Sequence, residues 1–309
     1  MAAGPAMSAA IPDRTRAALR SVPLWSGRQI RAEPLAGGLT NENWLVTDIA
    51  SGSRYVMKVP GQGTEEYIDR VTANRAAKAA GALGLSAPVH HFDETTGVEV
   101  AAFLEGHTAC TTAHLRDPEL GAEIMSLYQR LHRLPLLGKP STLFDLADAQ
   151  LRQLRAAGGW VPEPARWLAA EFDDLKARFE ASGFDLVPSH NDPMPGNFLI
   201  GPDGLKIIDF EYASDNDRSA DLALLCAEAF IDHPSQALLD GYFGSPTASE
   251  VARVQASQFV ADFFWGAWGL LNAKVKGSGF DYHKYGVWKL ARAAMLVRLY
   301  DWDAVKAAV

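Results

Sequence analysis

Cysteine is scarce in this sequence: only Cys110 and Cys226 occur among 309 residues, and they form no CxxC pair. That argues against a structural zinc or thiol-redox motif and leaves two small buried thiols in a reducing compartment as the expectation. Long apolar runs are missing too. No stretch approaches the roughly 18 residues a membrane span needs, so none is expected. Met1 to Ala10 has neither a basic start nor an apolar stretch, which is not the pattern of a signal peptide. The expected location is the cytoplasm. Basic residues are in the minority, 29 Lys and Arg against 37 Asp and Glu, for a net charge of −8. Nucleic acid and anionic membranes both want a basic face, so neither is an expected partner. An acidic balance suits a cationic substrate and serves plain solubility equally well.

What is present is the balance of a soluble globular enzyme, 48% hydrophobic and 21% charged residues. The length allows two domains or one bilobed domain with a sizeable core. Residues 1–12 read as a loose tail. Strand-like patterns then prevail to about Leu104: Trp44–Thr47 and Arg54–Val59 flank Ala50-Ser51-Gly52-Ser53 as a hairpin, and Gly97–Leu104 is a further strand. An Ala-rich helix is expected between them, over Thr64–Ala82. Beyond residue 106 helices dominate. Asp117-Pro118 starts one, and Leu120, Ile124, Leu127, Leu131 and Leu134 carry its apolar stripe as far as Pro135. One β-hairpin interrupts this half, Phe198–Ile200 and Leu205–Ile208 around Gly201-Pro202-Asp203-Gly204. The expected fold is therefore α+β and bilobed, with a small β-rich lobe (13–105) before a larger, mostly helical one (106–309).

The segment with the most chemistry is Ser189-His190-Asn191-Asp192-Pro193-Met194-Pro195-Gly196-Asn197, followed by Ile208-Asp209-Phe210-Glu211-Tyr212. Phosphoryl transfer needs a carboxylate near the attacking hydroxyl and oxygen ligands that hold magnesium against the β- and γ-phosphates. Asp192, Asn197 five residues on, and Asp209 twelve further on supply those parts in the order of a kinase HxDxxxxN…D arrangement. Each fragment alone is also an ordinary turn sequence.

The segment resembles the choline/ethanolamine kinase family within the aminoglycoside phosphotransferase superfamily, over about residues 33–300. The resemblance implies a protein-kinase-like fold, with ATP and Mg2+ bound between the lobes. It implies Asp192 as catalytic base, Asn197 and Asp209 as magnesium ligands, and His190 as the residue that orders the loop. In the first lobe Gly37-Gly38-Leu39-Thr40-Asn41 resembles the family's nucleotide loop, where glycines let backbone N–H groups approach phosphate. Lys58 falls where the family places its phosphate-binding lysine. One departure stands out. The helix glutamate that pairs with this lysine would fall at Ala73, which leaves Glu65, Glu66 or Asp69 to substitute.

The acceptor is read from the second half. Trp265 and Trp268 are three apart and share a helix face, with Tyr285 further on. Such aromatics commonly pack a core. They also resemble the choline-binding aromatics of the family, which hold a quaternary ammonium by cation–π contact. Glu211 and Asp221 resemble the family's choline kinase signature, and Glu228 falls at its acidic position facing the cation. A further aromatic of the family falls at His233. The reading is thus phosphorylation of choline or ethanolamine, a small amino-alcohol. Alternatives are a kinase of thiamine or an aminoglycoside, or a catalytically impaired nucleotide- or choline-binding protein.

Overall fold

The computed structural model describes residues 11–36, 41–61, 68–276 and 280–309. In chain order the helices are α1 (Asp13–Ser21), α2 (Arg70–Ala82), α3 (Thr112–Leu115), α4 (Pro118–Leu131), α5 (Leu143–Ala156), α6 (Leu168–Ser182), α7 (Ser219–Glu228), α8 (Gln236–Phe243), α9 (Ala248–Val275), α10 (Tyr282–Leu299) and α11 (Trp302–Ala308). The strands are β1 (Ile30–Pro34), β2 (Asn41–Asp48), β3 (Arg54–Pro60), β4 (Val89–Phe92), β5 (Glu99–Ala102), β6 (Thr108–Ala109), β7 (Leu186–Ser189), β8 (Phe198–Gly201), β9 (Gly204–Ile207) and β10 (Ser214–Asp217). Two compact units result: Met1–Ala109 with Phe198–Tyr212, and Cys110–Asn197 with Ala213–Val309.

The first unit is built on an antiparallel sheet of order β1-β2-β3-β5-β4. Trp44 and Val46 alternate on β2, Met57 and Val59 on β3, so one face of the hairpin turns inward. That face packs with Ile30, Val98 and Val100, and with Leu19, Val22 and Trp25 from α1 and the turn after it. The Trp25 indole donates to the Leu19 carbonyl at 2.6 Å, which keeps its one polar atom satisfied in the core. The helix expected from Thr64 is α2. Asp69 caps it by accepting the Thr72 N–H at 3.1 Å, and residues 62–67 lie outside the described ones.

The expected β8–β9 hairpin forms, but its partners belong to the first unit rather than to the helical half. β8 pairs with β6, the Ile207 N–H donates to Leu85 O at 2.8 Å, and Lys206 Nζ donates to Gly84 O at 2.9 Å. The first unit runs to Ala109, whereas the strand pattern and the Glu105-Gly106 break put the end of the first lobe at residue 105.

The second unit is helical apart from the antiparallel pair β7–β10. Its centre is α9, 28 residues long and buried almost continuously from Ala252 to Asn272. A helix apolar all round belongs inside, and α5, α7, α10 and α11 pack against it. The helix expected to run to Leu134 stops at Leu131, with His132 as its C-cap: its N–H still donates to Tyr128 O at 2.8 Å and its ring reaches Asp221. Among the described residues no helix is long and apolar enough to cross a membrane.

The α9–α10 crossing is set by glycines. A Cβ on Gly269 would lie 2.7 Å from Gly286 Cα, and one on Gly286 would lie 2.8 Å from Gly266 O and Leu270 N. Those neighbours are backbone and cannot rotate away. Gly286→Ala should therefore cost about 2 kcal/mol through forced separation of the helices, despite the better helix propensity of Ala. A thermal melt should show Tm lower by about 4–8 °C; an unchanged or higher Tm would contradict the close crossing.

Candidate active site

In the second unit β7 delivers His190, Asn191 and Asp192 into a loop whose backbone is tied to Asp221. Asp221 Oδ2 accepts from His190 N at 2.9 Å, and its Oδ1 accepts from Asn191 N at 2.7 Å. Asn191 is held at φ 65°, a left-handed conformation that Asn tolerates better than most residues. Its side chain is fixed on both sides: Nδ2 donates to Ser214 Oγ at 2.8 Å, and Oδ1 accepts from Asn216 Nδ2 at 2.8 Å. Asp192 follows, only 7% exposed. Asn197 Nδ2 donates to Asp192 Oδ2 at 3.0 Å and to Asp192 O at 2.9 Å. The five-residue spacing read from the sequence thus closes a short hydrogen-bonded ring.

Asp221 itself is fully buried, 0% exposed. The sequence resemblance groups it with the substrate residues, yet its oxygens serve the loop amides and His132, whose Nε2 donates to Oδ2 at 2.9 Å. Burial works against its charge; His132, His190 and the backbone donor offset this and hold its carboxyl below the usual carboxylate range. His132 Nδ1 lies 2.5 Å from the Tyr242 hydroxyl, and burial pushes that phenol up to about 12, so it keeps its proton to donate. Two further acids on the same segment hold backbone. Asp215 accepts from the N–H groups of Leu137, Gly138 and Lys139, and Asp217 from those of Asp185 and Ser219.

The aromatic residues lie on α9 and α10. Trp265 and Trp268 are 4% and 7% exposed, with ring centroids 5.5 Å apart and nearly perpendicular. Tyr285 stands edge-on to Trp268 at 5.9 Å, and Tyr282 does the same at 5.5 Å. Burial first, then the charges of Glu228, Asp262 and Asp192, raise the Tyr285 phenol well above its ordinary value. Glu228 is not waiting for a cation: its Oε1 accepts from Lys289 Nζ at 2.7 Å. That ammonium also lies 5.6 Å from the Tyr285 ring centre and 5.9 Å from that of Phe230. His233 stands edge-on to Tyr300 at 4.9 Å.

In the first unit Lys58 projects from β3, and its Nζ donates to Asp209 Oδ1 at 2.7 Å. Asp209 follows β9 and has φ 69°, which turns the chain sharply beside the lysine. Burial opposes the Lys58 charge, but Asp209, Glu99 and Glu211 more than offset it and hold its pKa above the ordinary lysine value. Glu211 accepts from Asn41 Nδ2. The structure thus groups Glu211 with Asn41, Lys58 and Asp209, whereas the sequence resemblance placed it with the acceptor. Gly37, Gly38, Leu39 and Thr40 lie outside the described residues, as do Glu65 and Glu66.

Sequence reasoning passed over Asn191, Ser214, Asn216, His132 and Lys289. Only the Ser214–Asp221 run of polar residues within an otherwise apolar stretch signalled any of them.

A buried carboxylate, an amide five residues on and a lysine–aspartate pair are side chains a phosphotransferase could use, and the family model described as "Phosphotransferase enzyme family" matches residues 31–254. The chain belongs to this family. A choline/ethanolamine kinase family protein from Mesorhizobium loti superposes with a TM-score of 0.78 at 27% identity, covering 96% of this chain and 98% of its own. The LicA protein of Haemophilus influenzae is 26% identical over 278 residues, 84% of this chain and 78% of LicA. A thiamine kinase of Shigella flexneri is 30% identical over 183 residues, 58% of each chain. The protein-kinase-like α+β fold and the choline kinase-like phosphotransferase with an alcohol group as acceptor, both expected from the sequence, stand.

Asp221→Asn should destabilise the second unit by about 3–5 kcal/mol at pH 7, since it strips a buried charge from His132 and the loop amides. The sign with pH follows from the lowered carboxyl. Its contribution is present above the unfolded value of 3.8 and is lost as pH falls through the folded value below it. Melts from pH 7 down to pH 2 should show the difference between wild type and variant closing at the acid end. A gap that is constant across this range would contradict the charged form.

Proposed function

We propose that this protein transfers the γ-phosphoryl group of ATP to the hydroxyl of choline, with ethanolamine as the second acceptor to consider. Asp192 takes the proton of the acceptor hydroxyl as the oxygen–phosphorus bond forms. The bond between the γ-phosphorus and its bridging oxygen breaks, and ADP leaves. Lys58, with Asn41 and the Gly37-Gly38-Leu39-Thr40 loop, binds the ATP phosphates. The proposed location is the cytoplasm, where ATP is at hand.

Asn197 and Asp209 are the residues that would hold magnesium. They offer an amide carbonyl and a carboxylate, the hard oxygen donors this ion accepts beside phosphate and water. Among the described residues no group of three or more His, Cys, Asp or Glu is placed to hold a metal ion. When bound, magnesium supplies neutralisation of the charge that spreads over the transferred group. Asn197 contributes before any ion arrives, because its amide fixes the Asp192 carboxylate at 3.0 Å.

The observation that carries the acceptor reading is the buried aromatic cluster in the unit that also holds Asp192: Trp265 and Tyr285 stand nearly perpendicular to Trp268 at 5.5 and 5.9 Å. An acceptor whose hydroxyl meets Asp192 would then present its other end to aromatic faces. A trimethylammonium gains about 0.5–2 kcal/mol from each such face. The ammonium of ethanolamine is smaller and prefers hydrogen-bond acceptors, and Glu228 is already engaged by Lys289. Glu228 then acts on the substrate cation only at long range, with its charge offset by Lys289.

ADP release measured with choline, ethanolamine, thiamine and an aminoglycoside tests the reading; choline should give the largest kcat/KM, and equal silence on all four would sink it. Asp192→Ala should abolish turnover while ATP still binds, and retention of more than a few per cent of kcat would remove Asp192 as base. Trp268→Ala should raise KM for choline about ten-fold or more with KM for ATP unmoved. If that variant instead loses thermal stability and keeps its choline KM, Trp268 is core packing and the acceptor is something else.

A further inference from the structure

Asp69, one candidate partner for Lys58, has both oxygens committed to Thr72: Oδ1 accepts the Thr72 N–H at 3.1 Å and Oδ2 the Thr72 hydroxyl at 2.9 Å. Asp209 holds Lys58 at 2.7 Å, but it is also the carboxylate proposed for magnesium. A third acid stands directly across the sheet. Glu99 on β5 is the register partner of Lys58 on β3, so the two side chains leave the same face of the sheet from neighbouring strands. Glu99 is fixed from the other side by α2, where the nearly buried Asn74 donates Nδ2 to Glu99 Oε2 at 2.8 Å.

We propose that Glu99, clamped by Asn74, is the positioning residue for Lys58 and takes over the pairing that no carboxylate at position 73 can supply. The inference rests on the ATP-dependent reading above. Opposite charges on register-paired strands attract, and a carboxylate with one oxygen already bonded loses less freedom in holding an ammonium. Asp209 and Glu211 come from the segment after β9, whereas Glu99 belongs to the same sheet as Lys58. Were Asp209 to hold magnesium, Glu99 would remain as the counter-charge that keeps the ammonium aimed at phosphate. Ala73 then marks a transfer of the pairing from helix to strand rather than a loss of catalysis.

Glu99→Gln keeps the shape and the bond from Asn74 while removing the charge. Calorimetric titration with ATP alone should show Kd raised about ten-fold. Steady-state kinetics should show kcat/KM for ATP lowered by at least that factor, with KM for the acceptor unmoved. Glu99→Asp should recover part of the loss, Asn74→Ala should fall between it and wild type, and Ala73→Glu should gain nothing. A merely structural Glu99 would lower Tm and leave ATP affinity of the folded protein intact; that result overturns the proposal. So does a Glu65→Gln plus Glu66→Gln variant that reproduces the loss while Glu99→Gln does not, or a ten-fold gain from Ala73→Glu. Because the titration contains no acceptor, an enzyme inert toward every alcohol would refute the choline reading and leave this one standing.

Discussion

A carboxylate cut off from water must be paid in hydrogen bonds, and Asp221 collects its share from the loop that carries Asp192. It accepts from His190 N and Asn191 N, and from His132, which is itself bonded to Tyr242. Those bonds fix the backbone one residue before Asp192. With Asn191 locked at positive φ by Ser214 and Asn216, the direction of the Asp192 side chain is determined before any substrate arrives. Asn197 then fixes the carboxylate itself. The loop holds its geometry through bonds reaching His132 after α4, Asp221 on α7 and Ser214 and Asn216 on β10, with the tolerance of Asn191 for positive φ added to them. Preorganisation of this kind is what a positioned general base requires.

Charge management extends through the second unit. Glu228 and Asp262 lie beside Lys289 and Arg292, with Lys289 Nζ 2.7 Å from Glu228 and Arg292 Nε 3.2 Å from Asp262. Burial still outweighs the two cations at Asp262 and pushes its carboxyl above the ordinary range. The aromatic cluster is thus bordered by internally paired charges rather than by an open acidic surface. A monocation with an apolar shell suits such a border better than a polycation, which would need carboxylates left over for each amine.

Much of this was legible in the sequence where the signal is local. Asn197 meets Asp192 across the five residues that separate them, and the two hairpins form where turn residues and alternating apolar residues put them. The N-cap at Asp117 and the proline after it begin α4 as expected. What was not legible depends on partners far along the chain. His132 is 89 residues from Asp221, and Lys289 is 61 from Glu228, so no spacing could reveal that both acids are already engaged. The β8–β9 hairpin read as an insertion in the helical half because sequence order was the only guide to its neighbours. Asn74 and Glu99, 25 residues apart on a helix and a strand, carried no motif at all.

The central claim is that an aspartate-bearing loop and an aromatic cluster together act on a choline hydroxyl. Phosphorus NMR of the protein incubated with magnesium, ATP and equal concentrations of choline and ethanolamine tests it most directly. The account predicts a growing phosphate-ester signal of phosphocholine, well in excess of phosphoethanolamine, matched mole for mole by ADP. Dominant phosphoethanolamine, or ATP consumed only to inorganic phosphate, would contradict it.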